Sequence, residues 1–411
     1  MKEYLLSGIF WLLEICRAIL IRLGNRRGYR MPALLMAVNR FLRQERLPPA
    51  QRRNPSVTIL TARSTRMLVV GANAYGTTSW ARAKALAALY DHTASVNSTP
   101  LPGPASAARH CRINYLYYGS EIKKINQAVA STARAFRPDV LWVDKGVSVW
   151  PATLEEIRRR GCKVLVHYSP DNQTMRINQS RHYLRSIPVY DLHITTKAQT
   201  VGWLYKSGAA EVRLAGNGFD PDLHKPVDVT GIDQESFGCD IGFVGHWERD
   251  REEKLLWLYS KGYRIKVWGG NWEKAQHRRH PLFAGTRHLV GEEYAQAICG
   301  AKISLCLLSY WNADRATDRS VEIPACGQFM LAERTPEHQV LFKEGVEAEF
   351  YESAQEMLDK IRYYLVNEAQ RKKIGEMGRR RALAGYSNEA RLKSVVMAAA
   401  EPVRGGELKR V

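Results

Sequence analysis

The chain has 411 residues, of which 45% are hydrophobic and 25% are charged, and its formal net charge is +20. This composition excludes an intrinsically disordered protein, and the length exceeds what one hydrophobic core usually supports, so we expect two domains. The seven cysteines are scattered without a C-x-x-C pair, which argues against a zinc site and a secreted disulfide scaffold. We therefore predict a protein of a reducing, cytoplasmic compartment.

The positive charge is concentrated near the N-terminus, where residues 1–60 hold 11 Lys and Arg residues against three Glu. Such charge attracts nucleic acid, anionic lipid or phosphorylated small molecules. The basic residues are not accompanied by a zinc-finger, RRM or KH signature or by an aromatic-interleaved stripe. We therefore predict that nucleic acid is not a partner.

Residues 4–23 form an apolar stretch with helical periodicity, interrupted by three charged residues. The charges argue against a membrane-spanning helix and against a cleaved signal peptide. Two interpretations stay open: a helix packed on a protein surface, or attachment of residues 1–30 to an anionic membrane surface. The second would place the protein peripherally on the inner face of the plasma membrane.

After a linker-like segment at residues 47–56, strands and helices alternate. One helix is predicted to end near Arg137, because Pro138 cannot continue it. Repeated alternation with short, apolar strands predicts a parallel sheet with helices on both faces. The predicted strands are 66–71, 139–146, 163–172, 190–197 and 210–218, and the predicted helices between them include 78–92 and 152–161.

The same pattern begins again after His224 and ends in a helical tail. We therefore predict two Rossmann-like domains, at residues 61–222 and 223–390, with a helical extension at 1–60 and a tail at 391–411. Ligands of such sheets bind at the carboxyl ends of the strands. The predicted elements of this half are strands 239–246, 263–270, 303–308 and 328–333, and helices 251–262 and 292–302.

Neither half opens with G-x-G-x-x-G, which argues against a dinucleotide-dependent oxidoreductase. The first turn nevertheless places Gly76, Thr77 and Thr78 at the start of a helix. Backbone N–H groups there could bind an anion or a sugar hydroxyl of an acceptor, and a plain turn is the alternative.

Three later segments together resemble a known family: LAGNGFDPDLHKP (214–226), FVGHWERDREEKLLWL (243–258) and DRATDRSVEIPACGQFMLAE (314–333). Their order and spacing are similar to those of GT-B glycosyltransferases, and of the CgeB-like (spore-maturation type) group in particular. The resemblance covers about residues 66–390. It implies an α/β fold of two Rossmann-like domains facing across a cleft, with the acceptor bound by the first and a nucleotide-sugar donor by the second.

Within this resemblance, Glu322 matches the glutamate that binds the ribose of the donor, and a helix-capping carboxylate is the alternative. A carboxylate suits a ribose diol because it accepts two hydroxyl hydrogen bonds. We also expect a helix to begin near Pro324 and to direct its N–H groups toward the diphosphate. The donor-binding residues expected there are Ala325, Cys326 and Gly327.

The sequence departs from the family pattern at two positions. Asp314 stands eight residues before Glu322, where retaining enzymes of the family 4 type carry glutamate, and a shorter side chain puts its contact with the sugar in doubt. His246 follows Gly245 where an arginine is usual.

Three arginines are candidates to neutralise the diphosphate. Arg251 matches the family's cation, although an exposed helix face is an alternative for it. Arg315 or Arg319 would compensate for the arginine that is missing after Gly245.

Glycosyl transfer needs a stabilised leaving group and an oriented acceptor hydroxyl, and arginines can replace a metal ion in this role. The D-x-D spelling at Asp220-Pro221-Asp222 falls in the predicted linker, so we predict neither a metal nor a cofactor, with the nucleotide sugar as substrate. In the first half, Asp171 is the candidate group to orient or deprotonate the acceptor. His167 could bind a sugar hydroxyl, and Asn172 is a further candidate of the acceptor-side loop. The alternatives are that His167 caps a strand and that Asp171 forms an Asx-turn.

Five aromatic residues of the second half follow predicted strands, and we expect most in the core and some stacked on a base or sugar: Trp247, Trp268, Trp272, Tyr310 and Trp311. Together these features predict a metal-independent, hexosyltransferase-type enzyme with a glycan or lipid-linked acceptor, acting in cell-envelope or surface polysaccharide synthesis. The alternatives are a catalytically inactive nucleotide-sugar-binding or scaffold protein, and a nucleotide-sugar epimerase.

Overall fold

The computed structural model describes residues 60–100, 117, 119–228 and 233–397. The predicted N-terminal helix, the linker at 47–56 and the end of the tail lie outside these residues. The described chain divides into two compact units. The N-terminal unit contains the described residues up to Asn73 together with Tyr90–Arg213, and the C-terminal unit contains Ala74–Leu89 and the described residues from Leu214 onward.

The N-terminal unit is built on a six-stranded sheet in the order β2-β1-β3-β4-β5-β6. The pairings of β1 with β2 and β3, of β3 with β4 and of β4 with β5 are parallel. The strands are β1 (Arg66–Gly71), β2 (His92–Asn97), β3 (Val140–Asp144), β4 (Val164–Ser169), β5 (Leu192–Thr195) and β6 (Val212–Leu214).

The C-terminal unit is built on a five-stranded parallel sheet in the order β11-β10-β9-β7-β8. Since β7 and β9 are neighbours, the loops that follow them leave the same edge of the sheet. The strands are β7 (Cys239–Val244), β8 (Ile265–Trp268), β9 (Ala301–Cys306), β10 (Met330–Glu333) and β11 (Glu349–Tyr351).

The helices of the described residues connect these strands. They are α1 (Thr78–Leu89), α2 (Ser120–Phe136), α3 (Pro151–Arg159), α4 (Arg181–Ser186), α5 (Ala198–Lys206), α6 (Arg249–Tyr259), α7 (Glu292–Gly300), α8 (Arg319–Ala325), α9 (Pro336–Leu341), α10 (Ala354–Val366), α11 (Glu368–Leu383) and α12 (Asn388–Met397). Of the helices in the described part of the chain, none has the length and apolar content needed to cross a membrane.

The short apolar runs form the buried strands expected of a parallel sheet. Every residue of β3 and β4 is buried, which is why these strands show no polar alternation in the sequence. The helix α2 ends at Phe136, as Pro138 predicts, and Arg137 after it adopts the left-handed conformation of a C-cap.

Two predicted elements differ from the structure. The helix predicted over 78–92 ends at Leu89, because His92–Asn97 forms β2, an edge strand that is mostly accessible and too polar to be recognised. The helix expected to begin near Pro324 instead begins at Arg319 and ends at Ala325, so the proline lies in its last turn. Ser320 and Val321 already donate to Thr317 and Asp318, which starts the helix earlier.

Candidate functional site

The loop after β7 is fixed by backbone hydrogen bonds to the loop after β8. Gly245 N–H donates to the carbonyl of Trp268 at 2.8 Å, and Trp247 N–H donates to that of Gly270 at 2.9 Å. Gly269 has φ +135°, and a side chain there would collide with the carbonyl of Gly245. Glycine is therefore required at this crossing.

Arg319, the first residue of α8, lies directly beside this loop. A Cβ atom added to Gly245 would come within 3.3 Å of its Nη1. Its Nη2 donates to the carbonyl of Leu307 at 2.7 Å, and the guanidinium lies 5.5 Å from the ring centre of Phe243. Its buried Nε has no hydrogen-bond partner among the described residues. Arg319 thus keeps donor capacity next to the glycine loop.

Arg251 on α6 is instead committed to the protein interior. It is 3% exposed, and its three nitrogens donate to the carbonyls of His246, Leu307 and Leu308 at 2.9–3.3 Å. It also forms a 3.1 Å ion pair with Glu248. Burial, with the nearby Arg319 adding repulsion, lowers its pKa. Arg251 ties the loops after β7 and β9 together, and this geometry argues against its predicted contact with a diphosphate.

His246, which stands where the resembled GT-B pattern has arginine, keeps its side chain exposed. Its ring centre lies 6.1 Å from that of His288. Unlike the committed Arg251, this side chain projects from the loop after β7.

Glu322 is buried one helical turn after Arg319. It is 6% exposed, its Oε2 accepts a 2.5 Å hydrogen bond from the Tyr294 hydroxyl, and its Oε1 lies 3.6 Å from Nε2 of His224. Burial, with repulsion from Asp318, raises its pKa to about 8. The partners of the carboxyl come from α7 and the segment after β6, so it does not act as the N-terminal cap of α8.

Asp314 closes the loop after β9 on itself. Its carboxylate accepts hydrogen bonds from the Ser309 N–H at 3.3 Å and from the Asn312 side chain at 2.9 Å. Arg315 forms a 2.6 Å ion pair with Glu337 on α9, with its side chain half exposed. Both side chains lie where the sequence places them, after β9, but both have partners within the chain.

The residues expected at a helix start lie at a helix end. Cys326 N–H donates to the carbonyl of Glu322 at 3.1 Å, and Gly327 N–H donates to that of Pro324 at 2.8 Å. Ala325 is the last helical residue. The expected N–H cradle for a diphosphate is therefore wrong here, because α8 runs from Arg319 and these amides are used at its C-terminal end.

In the N-terminal unit, His167 lies in the interior rather than at a surface. It is 1% exposed, its Nε2 lies 3.1 Å from the Lys145 carbonyl, and its Nδ1 lies 3.2 Å from Nδ1 of His193. Burial lowers its pKa to about 4. The predicted contact of His167 with a sugar hydroxyl is not supported, since β4 is buried on both faces.

Asn172 is the residue that forms a turn. Its Oδ1 accepts from the N–H and the hydroxyl of Thr174 at 3.1 and 2.7 Å, which is an Asx-turn. It is buried, so it stabilises the loop after β4.

Asp171 is the accessible carboxylate of this region. It forms a 3.0 Å ion pair with Lys145, and the two residues follow β4 and β3, which are neighbouring parallel strands. Lys145 adopts φ +64° and was not predicted from the sequence. The signal that was available is D-K-G directly after a buried strand, a typical left-handed turn at the ligand-binding edge of a sheet.

The loop Gly76-Thr77-Thr78 belongs to the C-terminal unit. Gly76 has φ +78°, and a Cβ atom there would lie 3.0 Å from the Gly291 nitrogen. Thr77 accepts from the Trp80 N–H and caps α1, while the Thr78 hydroxyl accepts from Arg82. These contacts favour the plain helix-starting turn.

The two carboxylates of the D-x-D sequence, Asp220 and Asp222, are both paired with a lysine. Lys84 on α1 bonds both oxygens of Asp220 at 2.8 and 2.9 Å and Asp222 at 2.5 Å. Within the described ranges, no group of three His, Cys, Asp or Glu side chains is placed to hold a metal ion. The five cysteines described there are buried and do not form disulfides.

Comparisons with known proteins agree with this architecture. Residues 251–396 match a family model described as glycosyl transferase-like. Sucrose-phosphate synthase from Thermosynechococcus elongatus superposes with a TM-score of 0.58 at 16% identity, over 80% of this chain and 96% of that one. HepE from Anabaena in complex with UDP-glucose superposes with a TM-score of 0.54 at 13% identity, over 80% of this chain and 98% of that one.

A glycosyltransferase from Rickettsia africae gives a TM-score of 0.52 at 11% identity, over 82% of this chain and all of that one. A comparison with curated proteins finds no match. The chain therefore has the two-domain GT-B fold, and residues 251–396 of its C-terminal unit match the glycosyl transferase-like family model.

Proposed function

We propose that the chain is a glycosyltransferase that moves a sugar from a nucleoside-diphosphate sugar to an acceptor. The observation that carries this proposal is the placement of Arg319 and Glu322 on one short helix of the matched domain, with Arg319 beside the glycine loop after β7. A donor presents a diphosphate and a ribose diol, which call for a cation and a hydrogen-bonding carboxyl group. The UDP-glucose complex of the structurally similar HepE supports this class of ligand.

In the proposed reaction, an acceptor hydroxyl attacks the anomeric carbon of the donor sugar. The bond from that carbon to the diphosphate breaks, and the diphosphate leaves with the electron pair while the hydroxyl proton passes to a base. Arg319 would stabilise the negative charge that develops on the leaving group. Asp171, with its partner Lys145, is the proposed acceptor-side carboxylate of the N-terminal unit.

The finer assignments belong to the same proposal. The order of the motifs supports a CgeB-like enzyme of the hexosyltransferase type, and arginine supplies charge that a metal would otherwise supply. We propose a glycan or lipid-linked acceptor in cell-envelope polysaccharide synthesis. We also propose a cytoplasmic location with residues 1–30 at the inner membrane face, where their basic charge suits anionic lipid.

A second candidate is a nucleotide-sugar-binding protein without turnover. It is favoured by the structural commitment of Asp314 and Arg251, since both stand at motif positions and both are bonded within the chain.

The test uses the full chain with a panel of UDP-, GDP- and dTDP-sugars and measures nucleoside-diphosphate release and nucleotide affinity. We expect release with one donor, and Arg319→Gln should lower it by roughly 100-fold or more. The control is Arg249→Gln, which removes an exposed arginine that is paired with Glu253 and should change release little.

Equal release by wild type and Arg319→Gln would contradict the proposed role of Arg319. Nucleotide binding without release or transfer would favour the binding protein. Interconversion of the donor sugar without an acceptor would indicate an epimerase.

A further inference from the structure

Two aromatic side chains are exposed together on the loop after β9. Tyr310 is 77% exposed and Trp311 is 57% exposed, and their rings are 5.9 Å apart at 80°. The other three aromatic residues expected near strand ends are not exposed. Trp268 and Trp272 are in the core, and Trp247 donates to buried Glu252 at 2.6 Å.

The backbone beneath the two rings is fixed by a buried carboxylate. Glu248 accepts from the N–H of Tyr310 at 3.0 Å and from that of Trp311 at 3.5 Å. Glu248 is itself held by the buried Arg251. Ala313 completes the turn with φ +48° and donates to the Tyr310 carbonyl at 3.0 Å. The loop is therefore built to keep its shape while it presents apolar rings to solvent.

This loop is adjacent to the candidate donor site within the same unit. Arg251 donates to the His246 carbonyl on the loop after β7 and to the carbonyls of Leu307 and Leu308, which precede the aromatic pair with Ser309 between. Arg319 also bonds the Leu307 carbonyl. Of the residues proposed to hold the donor, Glu322 is buried and Arg319 is partly buried, whereas the aromatic pair is accessible beside them.

We infer that Tyr310 and Trp311 form a stacking surface for a saccharide ring of the acceptor glycan. Aromatic faces pack on apolar faces of ligands, and Tyr and Trp do so at little cost in side-chain entropy because they have few rotatable bonds. An accessible pair suits a long ligand that extends into solvent, whereas a donor nucleotide would be held by the more enclosed Arg319 and Glu322. The inference rests on the proposed function for the acceptor's identity as a sugar.

The experiment measures binding of the full chain to an array of immobilised oligosaccharides and, separately, its affinity for UDP and GDP. We expect wild type to bind a subset of the glycans. The variants Trp311→Ala and Tyr310→Ala should bind them roughly tenfold more weakly, as expected for aromatic anchors of an interface. Trp311→Phe should retain most of the binding, and nucleotide affinity should not change in any of these variants.

Tyr363→Ala is the matched control, because Tyr363 is also about half exposed but lies on α10. It should bind glycans as wild type does. Absence of glycan binding by wild type, or equal binding by wild type and both alanine variants, would overturn the inference. A joint loss of glycan and nucleotide affinity would do the same, because the rings would then belong to the donor site.

Flotation with vesicles of seven parts phosphatidylcholine and three parts phosphatidylglycerol tests a lipid surface as the occupant. Loss of flotation in Trp311→Ala with unchanged glycan binding would overturn the saccharide assignment. Nucleotide affinity reports on the proposed function independently, so its absence in wild type would count against the donor site and not against the aromatic pair.

Discussion

Tyr294 and Glu322 share a 2.5 Å hydrogen bond at the centre of the candidate donor site. The bond itself favours the charged carboxylate, but burial outweighs it and raises the pKa of Glu322 to about 8. Around neutral pH burial therefore favours the protonated form of this acid.

The raised pKa predicts how stability depends on pH. In the unfolded chain Glu322 loses its proton near its ordinary pKa of about 4.5, whereas in the folded chain it does so near 8. Between these values the folded state binds more protons, so the contribution of Glu322 to the free energy of unfolding is complete below the first value and is lost as pH rises to the second. Glutamine cannot ionise, so we expect the Glu322→Gln variant not to lose this part of the free energy of unfolding as pH rises.

Thermal unfolding of wild type and Glu322→Gln between pH 5 and pH 9 checks this prediction. The variant should gain in Tm relative to wild type as pH rises, and the gain should level off above about pH 8. A difference that is constant over the whole range would contradict the buried-acid interpretation.

Much of the fold followed from sequence periodicity, because buried parallel strands are short apolar runs. Strands β3, β4, β7 and β9 were recognised for this reason. The edge strand β2 was missed, since only one of its residues is buried and the rest carry no apolar signal. The N-terminal helix and the expected domain boundaries stay predictions.

The candidate site was less predictable, because sequence position does not reveal what a polar side chain bonds to. Arg251 and Arg319 look equivalent in the sequence. In the structure, the three side-chain nitrogens of Arg251 donate to three carbonyls, whereas Nε of Arg319 has no hydrogen-bond partner among the described residues. His167 looked like a strand-end ligand, but the sheet buries it against His193. Such differences depend on tertiary contacts that no local pattern encodes.

The buried contacts of Arg251 predict that its replacement lowers the free energy of unfolding. Arg251→Lys would leave buried carbonyls without donors and would weaken the pair with Glu248. We expect the free energy of unfolding to fall by about 3 kcal/mol, since removing a partner from a buried ion pair is strongly destabilising. Urea denaturation measures the change. Arg249→Lys is the control on the same helix, because Arg249 pairs with Glu253 in solvent and should cost less than about 0.5 kcal/mol.

If Arg251 acted mainly on a bound diphosphate, the two lysine variants would have similar stability and only catalysis would suffer. Comparable urea midpoints would therefore contradict its role as the link between the loops after β7 and β9.

The two ion pairs of Lys84, with Asp220 and Asp222, should contribute unequally to the free energy of unfolding. Lys84→Met would leave Asp220, which is buried, without its cation, whereas Asp222 is exposed and remains hydrated. We expect Lys84→Met to lower the free energy of unfolding by about 3 kcal/mol, and Asp222→Asn to change it by no more than about 0.5 kcal/mol. Urea denaturation of both variants checks this, and equal effects would show that the buried pair carries no special weight.

Gly76 and Gly202 offer a matched pair of glycine substitutions. Gly76 has φ +78° and a Cβ atom there would lie 3.0 Å from the Gly291 backbone, whereas Gly202 lies inside α5 with no atom within 4 Å of the added Cβ. Gly76→Ala should lower the free energy of unfolding by about 1–3 kcal/mol through backbone strain and crowding. Gly202→Ala should raise it by about 0.5–1 kcal/mol, because alanine has the higher helix propensity.

The prediction is that the two substitutions change the free energy of unfolding in opposite directions, and urea midpoints measure both changes. Gly76 is the residue at which the chain before α1 packs against the turn before α7, and a Cβ atom requires one of the two backbones to move. If Gly76→Ala were as stable as wild type while Gly202→Ala gained stability, the loop before α1 would have to shift without cost. The left-handed turn would then not be required for the packing of α1 in the C-terminal unit.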